Sequence, residues 1–290
     1  MEIALEVKDL NISYKEKPVI IDINFKLFKN QCFALLGESG SGKTLTALSL
    51  FDSLPKGFKI LSGEIFPKEK EKMAYLFQDP FSSLNPVFKI KSQMKSVQKG
   101  KNYYNYDEII EILKTLAFPE PEKKLNLYPF ELSGGMQQRI ALGLCLLKKP
   151  EILVADEPTT ALDLTVQAKI LALLEKLKKE KLSILLITHD MGVVAQIADW
   201  VSVMYLGYIL EISPVFEFFD EPLHPYSKVL TEAREFKVKK LREEVKISFF
   251  SKPLGCPFHP KCEYKMEICE KEFPKVFQKN NRIVYCHLYK

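Results

Sequence analysis

The chain has 290 residues, of which 42 are Lys or Arg and 37 Asp or Glu, giving a net charge of +5, with 47% hydrophobic and 27% charged residues. This is ordinary for a soluble globular protein of one large domain or two, and the mild basicity suits a membrane surface, nucleic acid or a lysine-rich solvated face equally. No apolar run approaches a bilayer span, and the acid-bearing start MEIALEVKDL is not a signal peptide, so a cytoplasmic protein with reduced cysteines is expected.

In chain order, Leu5, Val7, Ile12 and Tyr14 mark a first strand, and Val19, Ile21, Ile23, Phe25 and Leu27 alternate along a second, antiparallel one. Lys15 to Pro18 makes the turn between them, and Asn30 turns the chain into a short apolar strand, CFALL. A glycine-rich loop and a helix-compatible segment, LTALSLF, follow; Pro55, Gly57 and Gly63 then punctuate a variable stretch before the strand MAYLF. Residues 80–145 hold few strand-like runs and several helix-period segments such as IIEILKTL, with Asp107 as the expected N-cap, and read as a helical insert. The strand EILVADEP comes next, then an amphipathic helix with Val166, Ile170, Leu173, Leu174 and Leu177 on one face and Asp163 as its cap. SILLITHD is a further buried strand, and VSVMYLGYILEIS reads as two strands meeting at Gly207. Strands alternating with helices predict a parallel sheet covered on both faces, with the opening strands as an antiparallel side sheet. From about Glu232 the chain turns charge-rich before a tail that carries four of the six cysteines.

Chemistry concentrates in three strings. GESGSGKT (Gly37, Glu38, Ser39, Gly40, Ser41, Gly42, Lys43, Thr44) stands between strand and helix, the context of a phosphate-binding loop. Its glycines turn backbone N–H groups inward, Lys43 reaches β- and γ-phosphates, and the Thr44 hydroxyl ligates Mg²⁺. ILVADE ends a buried strand in two carboxylates, which need a cation: Asp156 is placed on the metal and Glu157 on the water that attacks the γ-phosphate. LSGGMQQR puts Ser133, Gly134 and Gly135 at a helix start, a second anion site with Ser133 as cap. Two phosphate-binding helix ends with one carboxylate set imply a composite site in a dimer.

These strings, in this order through the first 220 or so residues, resemble the ATP-hydrolysing subunits of ABC transporters. GESGSGKT looks like the Walker A motif, ILVADE the Walker B motif, Gln78 the Q-loop glutamine and LSGGMQQR the signature; Ala161, Leu162 and Asp163 look like the D-loop, and His189 the switch histidine. Tyr14 sits where that family has its adenine-stacking aromatic. The resemblance implies two subunits that sandwich two ATP molecules, each between one chain's Walker A and the other's Ser133, Gly134, Gly135 and Gln137. It further implies His189 at the γ-phosphate, Mg²⁺ held by Thr44, Gln78 and Asp156, Gln78 linking that metal to the membrane partner, and a hydrolytically competent site.

QDPFSSLNP, HPYSKVL and the cysteine tail resemble the dipeptide, oligopeptide and nickel importer branch. Against that branch the chain is short, the segment between Gly63 and Met73 is trimmed, and Asn30-Gln31 replaces a Gly-Glu pair, a swap at the turn alone. Cys256, Cys262, Cys269 and Cys286 suggest metal rather than disulfides; their spacing is looser than the usual zinc pairs. What the branch implies is a [4Fe-4S] cluster on four thiolates, with zinc or no metal as alternatives. Cys32 and Cys145 read as core residues.

The expected fold is α/β: a P-loop ABC ATPase core with an antiparallel β subdomain and a helical insert, plus a small cysteine-rich C-terminal extension. The nucleotide-binding domain is placed at residues 1–231, its helical subdomain at 80–145, and the extension at 232–290. The expected activity is ATP hydrolysis that energises import of short peptides, or alternatively of nickel or another metal chelate; a soluble ABC protein acting on nucleic acid or ribosomes is the rival. Expected partners are two transmembrane permeases, a second ABC ATPase and a periplasmic or extracellular substrate-binding protein, on the cytoplasmic face of the membrane, with no nucleic acid.

Overall fold

A computed structural model describes residues 2–79, 83–98, 105–160, 163–234 and 254–289, with the side chains of 233 and 234 left aside. Pro80 to Ser82 of QDPFSSLNP, Ala161 and Leu162 of the D-loop, and the charge-rich stretch from residue 235 lie outside the described residues. The strands are β1 (Ile3–Tyr14), β2 (Lys17–Phe28), β3 (Cys32–Leu36), β4 (Phe58–Phe66), β5 (Met73–Leu76), β6 (Ile152–Asp156), β7 (Ser183–Thr188), β8 (Trp200–Tyr205), β9 (Tyr208–Pro214), β10 (Val276–Lys279) and β11 (Arg282–Tyr285). The helices are α1 (Lys43–Ser49), α2 (Ile90–Gln98), α3 (Tyr106–Thr115), α4 (Pro121–Lys124), α5 (Gly134–Leu146), α6 (Leu164–Lys179), α7 (Met191–Ile197), α8 (Val215–Asp220), α9 (Pro225–Arg234) and α10 (Ile268–Lys271). The chain divides into two compact units, Met1–Lys68 with Leu186–Lys290, and Glu69–Leu185; β7 runs from the second into the first.

The first unit contains the antiparallel sheet β2-β1-β4. Lys15 and Glu16, both at positive φ, make the β1–β2 turn, and Leu5 faces Leu27, Val7 faces Phe25 and Ile12 faces Ile20 across the pair. The expected alternation holds at Val19, Ile23, Phe25 and Leu27 but fails at Ile21. Asp22 has a left-handed φ of 51° that bulges the strand, so Ile20 is buried in place of Ile21. β4, read from sequence as a variable stretch, is the third strand; almost all of its residues are exposed. Asn30 adopts the left-handed conformation expected of it. In the same unit β3 pairs in parallel with β8, β8 pairs antiparallel with β9 through the turn at Leu206 and Gly207, and β11 pairs antiparallel with β9 and β10.

The tail is fastened by a buried ion pair. Glu211 on β9 is fully buried and lies 3.3 Å from the Arg282 guanidinium on β11. Ser213 Oγ donates to Glu211 Oε1 at 2.9 Å and accepts from Arg282 Nε at 3.2 Å. The backbone N–H groups of Leu223 and His224 donate to the same carboxylate at 3.1 and 2.8 Å. Every strong acceptor site on a buried carboxylate that is filled this way lowers the cost of its burial.

In the second unit β5 and β6 pair in parallel, Met73 opposite Ile152 and Leu76 opposite Ala155. The described residues between β5 and β6 hold helices and no strand, and pack a core of Ile90, Met94, Ile109, Leu113, Ile140 and Leu147. α3 is capped by Asn105, whose Oδ1 accepts from Glu108 N–H at 3.0 Å, rather than by Asp107. The helix begins two residues earlier than a cap at Asp107 would set, which leaves Asp107 in the first turn as a charge favourable to the helix dipole. Asp163 caps α6 as expected, accepting from Val166 N–H at 3.0 Å. Among the described residues no helix is long and apolar enough to cross a membrane.

Candidate functional site

The glycine-rich loop follows β3, all five residues of which are buried. Glycine is required at its two ends. A Cβ on Gly37 would stand 2.3 Å from the Met204 carbonyl oxygen, and Gly42, at φ 108°, would drive one to 2.4 Å from Ile20 Cδ1. The loop is tied to the β8–β9 turn by Gly207 N–H donating to Ser41 O at 2.8 Å. Lys43, the first residue of α1, is buried, and its ammonium donates to the carbonyls of Gly37 at 2.7 Å and Glu38 at 2.9 Å. That places an ammonium among the carbonyls of the loop backbone. Glu38, Ser39, Gly40 and Thr44 are exposed around it, and Ser41 is buried. An ammonium within a glycine-rich turn at a helix start is the donor chemistry that phosphate oxygens require.

Two other expected residues belong to this unit. The Tyr14 ring lies 4.8 Å from that of Phe58, with the Lys15 ammonium 5.3 Å from its centroid. Gly57 beside it leaves room for the ring, since a Cβ there would meet Tyr14 Cε2 at 2.8 Å. His189 is exposed at the end of β7, one residue before Asp190, which caps α7 by accepting from Gly192 N–H at 2.6 Å.

The carboxylate pair lies in the second unit. Asp156, at the end of β6 and 3% exposed, accepts from the Tyr75 hydroxyl at 2.7 Å. Burial and the adjacent Asp156 charge push the Tyr75 hydroxyl far above its ordinary pKa, so it stays a donor. Glu157 turns out of the strand at a left-handed φ of 45°, a conformation uncommon for such a residue and concentrated at functional sites. Its Oε2 accepts from Thr160 Oγ1 at 2.7 Å and from Gln78 Nε2 at 3.4 Å. Gln78 and Glu157, read separately in sequence, are thus in contact. Tyr75 and Thr160, which sequence reasoning did not single out, hold the two acids.

The signature loop lies in the same unit. Ser133 is at the N-cap position of α5 and exposed, but its side chain makes no capping bond, unlike the expectation. The space beside Gly134 is open, whereas a Cβ on Gly135 would meet Val166 Cγ1 at 2.7 Å. Gln137 is buried and donates to the carbonyls of Pro129 at 2.9 Å and Leu132 at 3.1 Å, bracing the turn that carries Ser133. Gln138 does the same for the segment after Glu157, donating to Pro158 O at 3.0 Å.

In the tail, Cys256, Cys262, Cys269 and Cys286 line one small pocket with His224, His259 and His287. All six cysteines are free thiols, and Cys32 and Cys145 are buried core residues as expected. Burial pushes the Cys256 thiol up to about 12 and Cys286 to about 11, with the other tail cysteines adding to the rise. Burial also lowers the His224 imidazole to about 3. Among the described residues no three His, Cys, Asp or Glu side chains converge on one point as ligands of a single ion.

Two family profiles match the chain: "ABC transporter" over residues 20–160, and "Oligopeptide/dipeptide transporter, C-terminal region" over residues 210–269. The chain is 35% identical to the dipeptide transport ATP-binding protein DppD of Bacillus subtilis, over 99% of this chain and 95% of that protein. It is 37% identical to the oligopeptide transport ATP-binding protein OppD of Salmonella typhimurium, over 94% of this chain and 90% of that protein. Among solved structures it resembles cbiO1 of Clostridium perfringens, part of the ABC transporter complex cbiONQ, with a TM-score of 0.67 and 25% identity over 76% of this chain and 92% of the other. A dimeric ATP-binding cassette, MJ0796, bound to ADP and Pi, shares the fold at a TM-score of 0.62 and 23% identity, covering 73% of this chain and 98% of that one.

Proposed function

The chain belongs to the ABC transporter ATP-binding proteins of the dipeptide and oligopeptide branch, and from that premise we propose that it hydrolyses ATP to energise the import of short peptides. The observation that carries the ATPase reading is Glu157, a carboxylate fixed by Thr160 and Gln78 one residue beyond the buried Asp156. Glu157 orients the attacking water and takes up its proton as the water oxygen bonds to the γ-phosphorus and the bond from that phosphorus to the β–γ bridging oxygen breaks, ADP leaving with that oxygen. Lys43 and the loop N–H groups bind the phosphates, Tyr14 stacks on the adenine, and His189 contacts the γ-phosphate. Asp156, Gln78 and the Thr44 hydroxyl are hard oxygen donors suited to Mg²⁺, which when bound neutralises charge on the phosphates. Ser133, Gly134 and Gly135 serve the ATP of a second subunit, with Gln137 bracing their loop.

Residues 1–231 form the nucleotide-binding domain, with 80–145 as its helical subdomain, and 232–290 the extension. The machine is completed by two permeases, a second ABC ATPase and a substrate-binding protein, with this chain peripheral on the cytoplasmic face. The four tail thiols hold a [4Fe-4S] cluster. Each thiolate of such a cluster binds its own iron, so the donors need not converge on one point as they do around zinc, and iron replaces protons that burial otherwise keeps on sulfur. Anaerobically purified chain is therefore expected to contain iron and sulfide, and Cys262→Ser to reduce both; stoichiometric zinc without iron would contradict the assignment.

The transport reading is tested by uptake of labelled di- and tripeptides in cells that carry the whole importer. Replacing the chain with Lys43→Ala is expected to abolish uptake. Undiminished peptide uptake, or loss of nickel uptake alone, would overturn the peptide assignment.

A further inference from the structure

The cysteine pocket contains a ring for which ATP hydrolysis has no use. His224 is 1% exposed and held on several sides. Its backbone N–H donates to Glu211 Oε2 at 2.8 Å, Tyr226 N–H donates to its Nδ1 at 3.0 Å, and Phe258 packs against it at a steep interplanar angle, with centroids 6.0 Å apart. Because Nδ1 accepts a backbone N–H, it carries the lone pair, and the proton of the neutral ring sits on Nε2. That Nε2 is buried and has no hydrogen-bond partner, on a ring that lines the pocket with all four tail cysteines.

The other two histidines of the pocket differ. His259 Nδ1 lies 2.9 Å from the Cys256 carbonyl and His287 Nε2 lies 2.9 Å from the Glu272 carbonyl. A carbonyl only accepts, so each of these rings already donates its proton to backbone. Among the described histidines lining the pocket, His224 alone has its N–H unused. A buried donor is costly until an acceptor meets it, and a sulfur bearing negative charge is the acceptor that this pocket's own residues recruit.

We propose that His224 is a positioning residue of the cysteine centre, whose Nε2–H donates a hydrogen bond to a thiolate or sulfide sulfur. The inference rests on the iron–sulfur reading above. It makes His224 a donor and not an iron ligand, since the lone pair is on the nitrogen that faces Tyr226. A hydrogen bond to sulfur stabilises the more negative, reduced centre and raises its midpoint potential.

The test is a redox titration, monitored by electron paramagnetic resonance, of anaerobically purified full-length wild type, His224→Phe and His224→Gln, with iron and sulfide measured on each. The expected result is iron in all three, a lower midpoint in His224→Phe, and a return toward wild type in His224→Gln, whose amide keeps an N–H. If His224→Phe loses its iron, retention of iron and of the wild-type midpoint by His224→Gln supports the donor role. Equal iron and an unchanged midpoint in His224→Phe would overturn the inference and leave the cluster standing. A midpoint lowered equally in both variants, or iron lost from both, would assign the effect to packing and overturn the hydrogen bond. Wild-type protein without iron would overturn the cluster reading, and this inference with it.

Discussion

Lys43 and Asp156 are both charged and almost fully buried, and each is held by particular neighbours rather than by solvent. The Lys43 ammonium is bound by two carbonyls of its own loop, at 2.7 and 2.9 Å, which pre-sets it among the groups proposed to receive phosphate. Lys43→Ala is expected to lose nucleotide binding in equilibrium titrations with a fluorescent ATP analogue; wild-type affinity would remove Lys43 from the phosphate site. Asp156 depends on the Tyr75 hydroxyl at 2.7 Å. Tyr75→Phe removes a hydrogen bond to a charged group and is expected to destabilise the protein by about 1.5–3 kcal/mol, read as a lower urea midpoint at unchanged slope. Tyr75 and Thr160 were not legible in the sequence because their importance lies in the acid that each touches. Apolar alternation places Tyr75 on a strand but says nothing of its partner. Gln78 was legible from its motif, whereas its contact with Glu157 is a tertiary fact.

At the scale of elements, Gly135 and Val166 fix how α5 starts against α6. A Cβ on Gly135 meets Val166 Cγ1 at 2.7 Å. Gly135→Ala is therefore expected to lower stability by roughly 1–3 kcal/mol through overpacking, with most of the loss recovered when Val166→Ala is added. A double-mutant cycle without coupling would contradict that contact. On β11, Arg282→Met leaves the fully buried Glu211 without its ion pair, a loss of about 3–5 kcal/mol by analogy with other broken buried pairs, partly relieved by adding Glu211→Gln. Elements whose burial is complete were easiest to read. CFALL, ILVAD and SILLIT are continuous apolar runs because both faces of their strands are covered. β4 escaped because its residues face solvent and it carries no apolar period. β10 and β11 are only four residues each, yet the Asn280-Asn281 turn, with Asn280 at φ 55°, is a signal that could have located the hairpin. The bulge at Asp22 moved burial from Ile21 to Ile20, since a local left-handed residue resets the two-residue period.

For the whole molecule, the phosphate loop and the signature loop are each well formed, and on the proposed function the second serves the ATP of another subunit. Hydrolysis is then an event of assembly, and the four-cysteine tail, joined to β9 through β11 and Arg282, travels with the phosphate-loop unit. On the proposed function, Glu157 activates the attacking water in an ATP-bound dimer. The most direct measurement compares phosphate release, nucleotide affinity and oligomeric state of the full-length wild type and Glu157→Gln, with its membrane partners present. The expected result for Glu157→Gln is unchanged ATP affinity, a stabilised ATP-bound dimer and phosphate release lowered by about 100-fold or more. Phosphate release by Glu157→Gln at the wild-type rate would contradict it.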